Sequence, residues 1–173
     1  EMVNAIREER ADVCLTSGGG NDLLGGGRLQ EYLKPFTPGL APGDYLNDRF
    51  PGFLGGIIDR YKRIFEMLTS RFGDLHVFCH GYDYAIPNRG RWLGRPMEEV
   101  GYQDADLQRR IVAEIIDRFN GALTELVDGY DKVHQVDCRG AVHETLWHDE
   151  LHPNNEGYRA VAARFRAAIN AHT

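Results

Sequence analysis

Ala11-Asp12-Val13-Cys14-Leu15-Thr16 runs directly into Ser17-Gly18-Gly19-Gly20-Asn21-Asp22, and this passage decides the fold. Its first half reads as a strand. Its second half is a turn whose glycines let the backbone take positive φ or approach a ligand closely. Helical periodicity follows downstream, and a strand that feeds such a turn and then a helix belongs to a parallel α/β arrangement.

Working outward, Leu75-His76-Val77-Phe78-Cys79-His80 and Val133-His134-Gln135-Val136-Asp137 are the other strand candidates. Ile57, Ile58, Tyr61, Ile64, Phe65 and Leu68 recur at helical spacing and predict a helix ending near Gly73. Leu107, Ile111, Ile115, Phe119, Leu123 and Leu126 predict a second long helix. A third begins after Pro153, with Tyr158, Val161, Ala162, Phe165 and Ile169 on its buried side, and Met2, Val3 and Ile6 give a short helical stripe at the start. Residues 23–52 are irregular, with Pro35, Pro38, Pro42 and Pro51 blocking any long helix, and so are residues 82–102. Both stretches follow strands, so they border the crevice beyond the carboxyl ends of the sheet. Among their aromatic residues, Tyr82, Tyr84 and Trp92 are the candidates for substrate contact.

Three strands are few for a parallel sheet, which needs cover on both faces. The sheet therefore reads as lacking a leading strand or two. The chain has no methionine at position 1, and its first ten residues lack the basic start and apolar centre of a signal peptide. The expectation is a single domain over residues 1–173, incomplete at its N-terminal side.

Bulk composition narrows the function. A net charge of −6 with no basic patch argues against nucleic-acid binding. No run of eighteen apolar residues offers a transmembrane helix. Cys14, Cys79 and Cys138 are odd in number and lack paired spacing, so they read as small buried hydrophobes rather than disulfides or zinc ligands. Such cysteines favour the cytoplasm, although any leader would lie in the expected upstream segment. No cofactor motif is present: the dinucleotide fingerprint fails at Leu23, and no Lys-Ser/Thr pair completes a phosphate loop.

Two motifs carry chemistry. The turn at Gly19-Gly20-Asn21-Asp22 presents an amide that can donate to a developing oxyanion, worth roughly 10²–10³ in rate when preorganised. Its plain alternative is an Asn and an Asp stabilising their own turn. In Asp149-Glu150-Leu151-His152-Pro153 the carboxylate precedes the imidazole by three residues, close enough to fix its tautomer and leave the far nitrogen as a general base. Ordinary chemistry at a helix start is the alternative there.

Together, in this order and with an α/β pattern between them, the two motifs resemble the SGNH (GDSL-type) serine ester hydrolases. Gly19-Gly20-Asn21-Asp22 matches the family's G-x-N-D block and Asp149-Glu150-Leu151-His152-Pro153 its D-x-x-H-P block. The resemblance implies a flavodoxin-like three-layer α/β/α sandwich around a parallel sheet. It also implies an oxyanion role for Asn21 with Gly19 and Gly20, a base role for His152, an orienting role for Asp149, and a small-molecule, lipid or carbohydrate ester as substrate. It calls for no cofactor and no metal. The family's nucleophile sits in a G-D-S block after its first strand, and this sequence has none. Its two serines, Ser17 and Ser70, stand at a strand end and a helix end. The serine is therefore expected in an upstream segment, and the chain alone is expected to be nearly inactive. The competing readings are a binding module that has lost its serine, and a metal-dependent hydrolase built on His143, His148, Asp149 and His152. Oligomeric state is open.

Overall fold

The computed structural model describes residues 1–173. Three strands, β1 (Val13–Thr16), β2 (His76–His80) and β3 (Val133–Val136), form one parallel sheet in the order β1-β2-β3. Five helices accompany them: α1 (Met2–Glu9), α2 (Phe50–Arg71), α3 (Gly94–Glu99), α4 (Ala105–Val127) and α5 (Asn155–His172). Register is continuous across the sheet, with Cys14 opposite Val77 and Val77 opposite Val133.

Side chains alternate across a strand, and that alternation divides the molecule. On one face Val77, Cys79 and Val133 join α2 and α4 in the main core, where Ile57, Tyr61, Phe65, Leu68, Ile111, Ile115, Phe119 and Leu123 are buried. On the other face Phe78 and Val136 meet Cys138 and Phe165 in a core of only four buried residues beneath α5. The helices thus lie on both sides of the sheet, as the three-layer expectation requires. The second face is incompletely covered: Leu15 on the edge strand β1 is 56% exposed.

Two local differences from the sequence reading have plain causes. α2 starts at Phe50, seven residues before its apolar periodicity becomes clear, because Pro51 occupies its first turn, where no N–H is needed. α3 interrupts the second irregular stretch with a six-residue helix whose Pro96 is likewise tolerated in the first turn. All three cysteines are free thiols, and burial pushes Cys79 and Cys138 up to about 12. No helix is long and apolar enough to cross a membrane.

Candidate active site

The glycine-rich turn leaves the carboxyl end of β1 and is shaped by what presses on it. Gly19 has φ +80°, and a Cβ there would come within 3.0 Å of Ile57 on α2. A Cβ on Gly20 would meet the Tyr82 ring at 2.6 Å. Tyr61 of α2 fixes the start of the turn: its hydroxyl donates to the Gly18 carbonyl at 2.7 Å. Asn21 then opens a π-helical turn, Asn21–Gly25, at the exposed rim.

The second motif forms a tight loop before α5. Asn154 caps that helix by accepting from the Glu156 and Gly157 N–H groups. An isolated bridge between Trp147 and Pro153 closes the loop. Inside it, the Asp149 carboxylate lies 2.9 Å from His152 Nδ1 through either oxygen. Asp149 Oδ1 also accepts the Leu151 and His152 N–H groups, each at 2.8 Å. Burial would raise the Asp149 carboxyl, but these bonds outweigh it and hold the group below its ordinary value. An ionised Asp149 on Nδ1 leaves His152 Nε2 free to exchange a proton.

A cavity of about 870 Å³ gathers the two motifs. Ser17 to Leu24 form one wall, Trp147, Leu151, His152 and Pro153 another, and Val161, Ala162, Phe165 and Ile169 of α5 a third. Asn21 and His152 therefore open on one space, which Leu15 borders along the free edge of β1. Among the three aromatic candidates, Tyr82 lines this cavity. Tyr84 turns away and donates from its hydroxyl to Asp117 at 2.9 Å. Trp92 is partly buried against the main core, with the Arg91 guanidinium 4.0 Å from its ring centre. His143 faces the Thr145 hydroxyl at 2.9 Å, and His148 is exposed.

Three features escape sequence reasoning. Ser17 Oγ lies 2.9 Å from His80 Nε2 across 63 residues, while His80 Nδ1 is buried without a partner. Burial pushes His80 down to about 4. Asp83 is buried and accepts from the N–H groups of Tyr84, Gly140 and Val142, tying the end of β2 to the loop after β3. Glu150 is buried under five backbone N–H groups. Each depends on contacts that no spacing along the chain announces. An acid flanked by Tyr82 and Tyr84 was the only signal for Asp83, and Glu150, set among polar neighbours, had none.

A model of the GDSL-like lipase/acylhydrolase family matches residues 2–160. The chain belongs to this GDSL-like family. Among solved structures, a protein of Streptococcus pneumonia provisionally described as a platelet activating factor shares the fold, with a TM-score of 0.58 at 13% identity. The match covers 91% of this chain but 59% of that one, so the chain spans under two thirds of that neighbour's length. No curated protein matches it.

Proposed function

We propose that these 173 residues are one domain of a serine ester hydrolase that works through an acyl-enzyme. His152 takes the proton from the attacking serine and later returns it to the leaving alcohol. Asp149 holds the imidazole tautomer and stabilises the imidazolium, and Asn21 donates to the tetrahedral oxyanion. The nucleophile comes from a segment outside these residues, delivered beside the free edge of β1. One observation carries the reading: the Asp149–His152 pair opens on the same cavity as the Asn21 turn. Its apolar walls suit an ester with a hydrophobic portion.

The Ser17–His80 contact favours a second reading, in which Ser17 itself attacks. Two facts weigh against it. A base pushed down to about 4 accepts protons poorly near neutral pH. No carboxylate stands behind its other nitrogen, which is unpartnered.

Hydrolysis of a short-chain chromogenic ester tests the proposal. The 173-residue chain should turn over at close to the background rate. A longer product carrying a G-D-S segment should be active and should lose about 10³-fold or more with His152→Ala. Undiminished hydrolysis by that variant would remove His152 from the role of base.

A further inference from the structure

Glu150 is 1% exposed, although it stands between the two residues of the Asp149–His152 pair. Its Oε1 accepts from the N–H groups of Asn88 (3.0 Å), Gly90 (3.0 Å) and Gly94 (2.7 Å). Its Oε2 accepts from those of Trp92 (2.9 Å) and Leu93 (3.0 Å). The Ile86 N–H adds a bond to the Glu150 carbonyl at 3.1 Å. The loop is built around this one carboxylate, because a Cβ on Gly90 would collide with it and one on Gly94 would reach 3.0 Å from Oε1. Arg89 takes φ 63°, a conformation an L-residue adopts only when its surroundings impose it.

A buried acid is costly unless its lone pairs are filled, and here backbone N–H groups fill them. A loop could be stapled more simply by an apolar anchor. What the carboxylate adds is orientation. Its side chain points inward from the middle of the four-residue turn, while the Asp149 carboxylate accepts the Leu151 and His152 N–H groups and meets the His152 ring on the cavity side. Fixing residue 150 therefore fixes the plane of the turn that carries His152. It also ties that turn to the segment that begins at Tyr82 on the cavity wall.

We propose that Glu150 is a positioning residue, whose carboxylate aligns His152 by locking the 149–152 turn to the 86–94 loop. Its catalytic relevance rests on the reading of His152 as the base, but its geometric content does not.

The test uses the 173-residue chain labelled with ¹³C at histidine. Glu150→Gln presents an NH₂ where an oxygen accepted, so two or three of the five bonds are lost. Glu150→Asp keeps the charge but falls short by one methylene, and serves if the Gln variant does not fold. Leu123→Ala, a core truncation on α4, controls for lost stability alone. The expected result is that the His152 ring C–H resonances shift in either Glu150 variant and not in the control. Amide exchange across residues 88–94 should also accelerate at least tenfold. Resonances of His152 at wild-type positions in a folded Glu150 variant, with only stability reduced, would make Glu150 a loop staple and overturn the proposal. Loss of the base role is read separately, from the activity of His152→Ala.

Discussion

At the scale of single residues, the site is a set of charges and donors whose surroundings fix their protonation. Asp149 stays ionised below the usual carboxylate range because three bonds converge on it. Asp149→Asn in an active form should cost up to about 10⁴ in kcat with little effect on KM, since the amide favours the wrong imidazole tautomer. An equal loss in substrate binding would show that the substitution disturbs the cavity instead. His80 gives a pH signature. Its folded value of about 4 lies below that of an unfolded histidine, so the unfolded chain binds the extra proton first. The His80 contribution to stability should be constant above pH 6.5, fall by about 3 kcal/mol as pH drops toward 4, and be constant again below that, where the depressed Asp149 carboxyl takes over the loss. Urea midpoints across this range measure it, and His80→Phe should remove most of the slope. A slope unchanged in that variant would assign the acid sensitivity to other groups.

At the scale of elements, helix starts and the glycine turn set where these residues stand. Asn154 accepts two N–H groups at the start of α5, immediately after the His152 turn, whereas α2 begins without a side-chain cap. Asn154→Ala should cost about 1 kcal/mol in urea unfolding, and a change below about 0.3 kcal/mol would show that the bridge to Trp147 suffices. Gly20→Val should displace the Tyr82 ring and reduce activity even where folding survives. The two long core helices were legible because burial repeats every three or four residues along α2 and α4; on α5 only Gly157 and Phe165 are buried, and Tyr158, expected on its buried side, is exposed. The first turn of α2 and the whole of α3 were not legible. Pro51 and Pro96 stop a helix only in its interior, and only the tertiary fold shows that they stand in a first turn.

At the scale of the molecule, the parallel sheet and its helices on both faces follow from strands that alternate with helices along the chain. The candidate site was legible in its two motifs, Asn21 and Asp149–His152, since each is local. What stayed hidden was the long-range closure: Ser17 on His80, Asp83 on the loop after β3, and the 86–94 loop around Glu150. Tyr84 faces α4, where its hydroxyl donates to Asp117, and Trp92 packs against the main core within the loop that wraps on the Glu150 carboxylate. The sheet leaves β1 with an unpaired edge, an exposed Leu15 and an open apolar cavity beneath α5. Parallel strands are ordinarily covered on both faces, and this is where a serine-bearing segment fits the proposed reaction.

Intact-mass measurement before and after a fluorophosphonate serine probe tests that central claim most directly, on the 173-residue chain and on the protein purified from its own source. The chain, at 19.6 kDa, should take no adduct, and the natural protein should be heavier and gain one, on a serine outside these residues. A single adduct on the 19.6 kDa species would contradict it and make Ser17, held by His80, the nucleophile.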